Sequence, residues 1–202
     1  LLTGGTVESV VPMLEGLHVD ALGINCGLGP QQMLPIVRKI QEISSLPILV
    51  NPNAGLPKQV NGQTVFDLGA DDFAYFMKEI AQVGVQGLGG CCGTTPEYIE
   101  KMIQLVKDLP FVPNTKKDRS WVTSYSMGVE IGPKPLIIGE RINPTGKKRF
   151  KQALRDRDIN YILAQALEQE DAGAHILDVN VGLPEIDEPS MMEAVIQRLQ
   201  AV

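Results

Sequence analysis

The sequence predicts an α/β protein made of two (β/α)8 TIM-type barrels, both of them truncated in this chain. Buried strands are predicted to begin near residues 21, 48, 86, 136 and 176, with amphipathic helical segments between them. Strand–helix units with these intervals between successive strand starts indicate a parallel sheet, either open or closed into a barrel. Two observations favour barrels: no strand is followed by Gly-x-Gly-x-x-Gly, and polar residues cluster where the strands end.

The N-terminal part contains three of these strands, over residues 21–25, 47–51 and 85–89, and three helices, over residues 30–44, 66–83 and 94–107. Short apolar runs predict the strands, and apolar residues at helical spacing predict the helices. Thr94 and Glu97 have the spacing of a capping box at the start of the third helix. Three strands are too few to close a barrel, so this part is expected to be one end of a larger domain.

The C-terminal part repeats the pattern with strands over 136–139 and 176–180, helices over 147–155 and 159–172, and a last helix from Glu188. Between the two parts, residues 109–134 have four basic and two acidic groups, three prolines and little apolar periodicity. This composition is typical of a linker, although Trp121 and Tyr125 indicate that part of it packs on a neighbour. We therefore predict domains over residues 1–108 and 135–202, with an interdomain linker over 109–134.

Composition excludes several classes of protein. The 202 residues are 44% hydrophobic with a net charge of −6, which argues against a disordered chain and against nucleic acid as a partner. No apolar run approaches the roughly 18 residues of a membrane span. Three cysteines are too few for a disulfide scaffold and indicate a reducing, cytoplasmic location. The chain opens on Leu1-Leu2-Thr3-Gly4-Gly5 without Met, so we expect an excerpt cut at the end of a strand.

All three cysteines directly follow predicted strands, Cys26 after the first and Cys91 and Cys92 after the third. Strand ends surround one mouth in a barrel, and three thiolates with an open fourth position suit a catalytic Zn²⁺. Adjacent residues of a strand point to opposite faces, so the pair can share an ion only where the chain bends. The glycines at 89, 90 and 93 allow such a bend. Two alternatives remain: small buried residues that only pack, and a strained Cys91–Cys92 disulfide.

The cysteines lie in three segments that resemble the second half of the homocysteine S-methyltransferase domain. These segments are Gly23-Ile24-Asn25-Cys26, Pro52-Asn53-Ala54-Gly55-Leu56-Pro57, and Gly89-Gly90-Cys91-Cys92-Gly93-Thr94-Thr95-Pro96. The resemblance implies a (β/α)8 barrel with zinc on Cys26, Cys91 and Cys92, which activates the thiol of homocysteine. Asn53 is the best local candidate for a substrate contact or for supporting the metal ligands, and the alternative is a turn residue. His18 and His175 have no partner at metal-ligand spacing.

The C-terminal part resembles the start of a pterin-binding methyltransferase barrel. Two segments carry this resemblance, residues 139–146 and residues 176–182. It implies that Glu140, Asn143, Asp178 and Asn180, predicted at or just past strand ends, bind a pterin through paired hydrogen bonds. On the same resemblance, the turn Gly146-Lys147-Lys148 is expected to place backbone donors and cations near a folate.

Structural roles remain open for the same residues. Asp178 and Asn180 alternate along a strand and suit a layer of side chains inside the barrel, while Glu140 and Arg141 suit an ion pair. The lysines suit a solvated helix start. N5 of methyltetrahydrofolate must be protonated before it can act as the leaving group in methyl transfer. Asp178 is the candidate acid if its side chain faces the pocket.

The two resemblances in this order are those of the front half of the cobalamin-dependent methionine synthases. The family implies methyl transfer from 5-methyltetrahydrofolate to cobalamin and then to zinc-activated homocysteine, with cobalamin on a module of the parent chain outside this sequence. Three alternatives stay open: a cobalamin-independent homocysteine S-methyltransferase, a corrinoid methyltransferase for another acceptor, and an inactive scaffold.

Overall fold

The computed structural model describes residues 4–132 and 134–201. The predictions that involve Leu1 to Thr3, Pro133 and Val202 lie outside the described residues. The chain is a mixed α/β protein and divides into two compact units between Asp118 and Arg119, within the segment predicted as a linker. None of the helices in the described ranges is both long enough and apolar enough to cross a membrane.

Over residues 4–118, the first unit contains four helices and five strands. They are α1 (Val7–Gly16), β1 (Leu22–Asn25), α2 (Pro30–Ile43), β2 (Ile48–Asn51), β3 (Pro57–Val60), β4 (Gln63–Phe66), α3 (Ala70–Gly84), β5 (Gly87–Leu88) and α4 (Pro96–Val106). Strands β1, β2 and β5 form a parallel sheet in that order, in which Asn25 pairs with Asn51 and Val50 with Leu88. The carboxyl ends of all three strands therefore meet at one edge of the sheet.

Burial on the central strand alternates as a half-buried sheet requires. Ile48 and Val50 are fully buried on the face that packs under the helices, together with Val37 of α2 and Phe73 of α3. Leu49, which lies between them and points the other way, is 44% exposed. Only one face of this sheet is covered within the described residues, and the site residues belong to its carboxyl edge.

The predicted helix over 66–83 is wrong at its start. Phe66 is the last residue of β4, which pairs antiparallel with β3 around a tight turn, and α3 begins at Ala70. Asn61 and Gly62 form that turn with φ of 51° and 77°, the left-handed conformation that a two-residue hairpin requires. Asn61-Gly62, between Val60 and Gln63, is the sequence signal of the hairpin that the helical pattern obscured.

The first part of the predicted linker, residues 109–118, belongs to the first unit. The Gln86 side chain accepts a hydrogen bond from Ile48 N at 2.8 Å and donates to Val112 O at 3.0 Å. The backbone of Lys117 donates to Ser45 Oγ at 2.8 Å. These bonds attach the segment to the amino ends of the strands, at the edge opposite the cysteines.

In the described part of the second unit, residues 119–132 and 134–201, there are four strands and three helices. They are β6 (Ser120–Thr123), β7 (Gly128–Ile131), β8 (Ile138–Ile142), α5 (Lys148–Arg155), α6 (Ile159–Asp171), β9 (Ile176–Val179) and α7 (Glu188–Leu199). Strands β6 and β7 form an antiparallel hairpin inside the predicted linker, and β8 and β9 pair in parallel. Its core contains Ile142, Phe150, Leu154, Ile162 and Met191, with Leu177 and Val179 packed against it.

The parallel strands of the described residues form one open sheet of three and one open pair, so the (β/α)8 closure of each domain stays a prediction. The strand predicted over 136–139 is wrong in position, because β8 covers Ile138–Ile142. Glu140 consequently lies within a strand and not after it. A register shift between Gly139 and Ile142 extends the pairing with β9 past the expected end.

Candidate metal centre

The parallel sheet delivers the three cysteines to one edge. Cys26 follows β1 directly, and its backbone N–H donates to Asn51 O at 3.0 Å, which continues the pairing of β1 with β2. Gly89 N donates to Val50 O at 3.0 Å in the same way on the other side of β2. Residues that are 65 positions apart in the sequence are thereby brought together across a single strand.

Cys26 has a left-handed backbone, with φ of 63°, and Gly27 continues that conformation at 76°. A positive φ is uncommon for a residue with a side chain and is maintained only where the surroundings impose it. Here the backbone bond to Asn51 and a tight turn, in which Leu28 N donates to Cys26 O at 2.9 Å, impose it. The thiol is thus held at the mouth of the sheet.

Cys91 and Cys92 lie beyond the end of β5, in a tight turn that lets adjacent side chains share one side. Thr94 closes the turn by donating to Cys91 O from its backbone N at 3.2 Å and from Oγ1 at 2.7 Å. Gly93 has φ of 81°, as the third residue of such a turn requires. A Cβ on Gly93 would also collide with the Phe66 ring. The predicted bend is confirmed.

Residues 52–54, which follow β2, bind the backbone of the cysteine pair. Cys91 N donates to Pro52 O at 2.8 Å, Cys92 N donates to Asn53 Oδ1 at 3.2 Å, and Ala54 N donates to Cys92 O at 2.9 Å. Asn53 is only 4% exposed, and its own N donates to Leu28 O at 2.9 Å in the segment after Cys26. Asn53 therefore lies between the two cysteine segments and is bonded to both of them.

The three sulfur atoms converge, since they lie within 4.8 Å of one another. The Cys26 Sγ–Cys92 Sγ distance is 3.6 Å and the Cys91 Sγ–Cys92 Sγ distance is 3.9 Å. Two sulfurs bound tetrahedrally to one Zn²⁺ at about 2.3 Å lie about 3.8 Å apart. The sulfur positions therefore fit a shared zinc ion. All three thiols are free, so the Cys91–Cys92 disulfide considered from sequence is wrong.

The thiols perturb one another as a close acidic cluster should. The N–H of Gly27, helped by the neighbouring thiols and Asn53, lowers the pKa of Cys26 below its ordinary value. Hydrogen bonding to Cys26 and Cys91 raises the pKa of Cys92 to about 11. Ionisation of Cys26 is thus favoured relative to a free cysteine, whereas ionisation of Cys92 is opposed by the neighbouring thiols. A divalent cation is the species that removes this opposition.

The hairpin formed by β3 and β4 is anchored beside the cluster. Asp67 Oδ1 accepts a hydrogen bond from Leu56 N at 2.8 Å, and Asp67 Oδ2 pairs with Lys58 Nζ at 3.1 Å. The Leu56 N–H and the Lys58 ammonium together lower the pKa of Asp67. The base of the hairpin is fixed through these contacts next to the Asn53 loop and the Phe66–Gly93 packing.

The site residues predicted in the second unit lie on β8 and β9, in the loops that follow these strands, and at the start of α5. Glu140 Oε1 is 3.6 Å from Lys147 Nζ, which also donates to Arg141 O at 3.2 Å. The Glu140–Arg141 ion pair considered from sequence is therefore wrong, since Lys147 is the partner. Asn143 Oδ1 accepts from Thr145 N at 2.9 Å and so shapes the turn that contains Gly146, whose φ is 72°. Lys148 is exposed at the first position of α5.

Asp178 and Asn180 are both exposed, and they alternate with Leu177 and Val179, which pack on the helical core. They lie on the sheet face that faces away from the helices. Asn180 Oδ1 accepts from Gly182 N at 2.8 Å, so part of its capacity serves the loop after β9. Asp178 is the third of the four residues of β9.

Sequence reasoning assigned Thr94 to a capping box with Glu97, and this is wrong. The N-cap of α4 is Thr95, without a side-chain cap bond, and the Thr94 hydroxyl binds the carbonyl of Cys91 instead. The role of Phe66 against Gly93 was also missed. The signal for Thr94 was its place three residues after Cys91, which is the spacing of a turn that closes on the cysteine.

The homocysteine S-methyltransferase family model matches residues 1–106, more than half of the chain. This chain belongs to the homocysteine S-methyltransferase family. The match covers all three cysteines and the loop that holds them, so the converging sulfurs lie within the family domain.

Two curated relatives are similar over nearly the whole chain. The methionine synthase of Mycobacterium leprae (strain TN) is 32% identical over 210 residues, which cover 100% of this chain and 17% of the relative. The methionine synthase of Mycobacterium tuberculosis (strain ATCC 25618 / H37Rv) is 32% identical over 202 residues, covering 98% and 17%. The chain therefore spans about a sixth of the length of these relatives, and the similarity continues beyond residue 106 into the second unit.

Gly93→Ala should reduce metal binding by distorting the turn of the cysteine pair. Alanine at a positive φ costs roughly 1–2 kcal/mol, and the added methyl would collide with Phe66. Gly62→Ala is the matched control, because Gly62 also has a positive φ but lies in open space at the hairpin turn. Zinc content and thermal unfolding of the full-length protein measure the difference. Equal zinc content in the two variants would contradict this assignment.

Proposed function

We propose that this chain forms part of a methyltransferase that makes methionine by transferring a methyl group to the sulfur of homocysteine. The methyl group comes from 5-methyltetrahydrofolate and is carried by cobalamin on a module of the parent chain outside this sequence. The observation that carries the proposal is the convergence of the Cys26, Cys91 and Cys92 sulfurs in a domain of the homocysteine S-methyltransferase family.

Cys26, Cys91 and Cys92 would hold the zinc ion as three thiolates. When bound, zinc would promote loss of the proton from the homocysteine thiol. Without a metal ion, a thiol has a pKa near 8.5 and is a poor nucleophile at neutral pH. Three cysteine thiolates outweigh the charge of a divalent ion, so the site is anionic and electron-rich. This charge favours a sulfur that attacks an electrophilic methyl group.

The rest of the loop would keep those ligands in place. Asn53 accepts from the Cys92 backbone while its own backbone bonds to the segment after Cys26, so its removal would loosen both cysteine segments. Partners of this kind orient the ligands of metal sites. We assign Asn53 to support of the metal ligands in preference to a turn residue alone, because it is buried and bonded to both segments.

The second unit would bind the folate. Glu140 within β8, Asp178 within β9, and Asn143 and Asn180 just after these strands offer carboxylate and amide groups that match the donors and acceptors of a pterin edge. Gly146, Lys147 and Lys148 belong to the turn beside them, where backbone donors and cations would contact the folate. Asp178 is exposed on the face away from the helices and is the candidate that delivers a proton toward N5.

The domain assignment follows the same proposal. Residues 1–108 would be the end of a homocysteine-binding zinc barrel, residues 109–134 an interdomain linker, and residues 135–202 the beginning of a pterin-binding barrel. Similarity to the mycobacterial relatives beyond residue 106 favours this assignment over a cobalamin-independent homocysteine S-methyltransferase. An assay of the full-length protein with betaine or S-methylmethionine in place of methyltetrahydrofolate and cobalamin distinguishes the two.

Cys92→Ser should abolish zinc retention and homocysteine methylation together, because a serine hydroxyl does not ionise to replace a thiolate ligand. About one zinc per chain is expected in the wild type and almost none in the variant, measured by elemental analysis of the full-length protein. His18→Asn serves as the control, since it removes a side chain of a type that can bind metals but that lies outside the proposed site. His18 is exposed and has a φ of 58°, which asparagine tolerates. Methylation retained by Cys92→Ser would sink the proposal for this site.

Asp178→Asn should slow methyl transfer from methyltetrahydrofolate to cobalamin by at least about 100-fold, since an amide does not deliver the proton. Homocysteine methylation from cobalamin already charged with methyl should stay unchanged in the same variant. Asp171→Asn, the same change at an exposed residue at the end of α6, is the control. Separate assays of the two half-reactions make the measurement, and full folate activity in Asp178→Asn removes this residue from the mechanism.

A further inference from the structure

We infer that Thr94 is a positioning residue of the metal centre. Its hydroxyl fixes the tight turn in which the Cys91 and Cys92 sulfurs lie on the same side. The inference rests on the proposed function, because it concerns how the chain presents ligands to the zinc ion. Thr94 does not contact the ion or the substrate in this assignment. It acts through the carbonyl group of Cys91.

The hydroxyl makes the shorter of two hydrogen bonds to one acceptor. Thr94 Oγ1 donates to Cys91 O at 2.7 Å, and Thr94 N donates to the same oxygen at 3.2 Å. A carbonyl oxygen has two lone pairs and accommodates both donors. The backbone bond is long, so the hydroxyl contributes much of what holds the carbonyl of Cys91 in this orientation.

The Cys91 carbonyl bonds to Thr94, whereas the other backbone polar groups of the cysteine pair bond to the loop of residues 52–54. Of the four backbone groups of Cys91 and Cys92, three bond to residues 52–54: Cys91 N, Cys92 N and Cys92 O. The fourth, Cys91 O, is held by Thr94. Rotation of the peptide between the two cysteines would separate their sulfurs, so the orientation of this carbonyl sets the 3.9 Å distance between them.

The local packing reserves space for this side chain. A Cβ on Gly90 would lie 2.6 Å from Thr94 Oγ1 and 2.8 Å from its methyl carbon. The glycine before the cysteine pair therefore makes room for Thr94, and its φ lies outside the positive region. Since Thr95 is the N-cap of α4, Thr94 is not needed to cap the helix, and its hydroxyl is directed back to the cysteines.

The test compares four forms of the full-length protein besides the wild type. Thr94→Val keeps the shape and removes the hydroxyl, Thr94→Ser keeps the hydroxyl, and Gly90→Ala displaces it. Thr95→Val makes the same chemical change one residue later, at a side chain without a cap bond. Zinc affinity is measured by competition with a chelator, and the ligand arrangement is read from the absorption spectrum of the Co²⁺-substituted protein.

We expect Thr94→Val and Gly90→Ala to bind zinc about tenfold more weakly and to shift the thiolate–cobalt absorption, whereas Thr94→Ser and Thr95→Val match the wild type. Circular dichroism checks that each variant is folded, and Gly90→Ala decides the question if Thr94→Val does not fold. Wild-type affinity and spectrum in a folded Thr94→Val protein overturn the inference while the proposed zinc site stands. A wild-type protein that binds no zinc overturns both.

Discussion

The candidate site depends on one constraint, which is the set of backbone hydrogen bonds made by residues 51–54 at the end of β2. This segment accepts from Cys26 N through Asn51 and from Cys91 N through Pro52, and Ala54 N donates to Cys92 O. Because β2 is the middle strand of the sheet, its end reaches both neighbouring strand ends. Two cysteine segments far apart in sequence are thereby fixed relative to each other by rigid elements, as a metal site requires.

The same arrangement creates an electrostatic demand. Three thiols within 4.8 Å oppose one another's full ionisation, and Cys26 and Cys91 raise the pKa of Cys92 to about 11. The left-handed backbone of Cys26 is a further cost that packing alone does not require. If the cysteines were only small residues that pack, neither the close thiol cluster nor the left-handed backbone of Cys26 would be needed. The geometry and the charge therefore both support the proposal that this site binds a cation.

Much of this site followed from sequence because its determinants are local. Apolar runs placed the strands, and glycines at 89, 90 and 93 indicated the bend that allows Cys91 and Cys92 to face one way. The sequence does not show why each of these positions requires glycine. Gly93 needs its positive φ, whereas Gly89 is small because Asn51 fills the adjacent space and Gly90 because Thr94 does. Those contacts exist only after the three strands have paired.

Local sequence patterns mispredict the structure where strand pairing overrides them. Phe66 continued a helical periodicity but pairs with Pro57 in a hairpin. Glu140 was expected beyond a strand end, yet a register shift in β8 keeps it within the strand, where Lys147 and not Arg141 becomes its partner. In the second unit, the sequence left open which face Asp178 occupies. The packing of the partly buried Leu177 and Val179 on the helical core places Asp178 on the opposite face, and its chemical role there rests on the proposed function.

The central claim is that Cys26, Cys91 and Cys92 form a zinc site that takes homocysteine as a further sulfur ligand. X-ray absorption spectroscopy of zinc in the full-length protein tests it directly. The account predicts three sulfur neighbours at about 2.3 Å without substrate and four after homocysteine is added. Fewer than three sulfur neighbours, or no change on adding homocysteine, would contradict it.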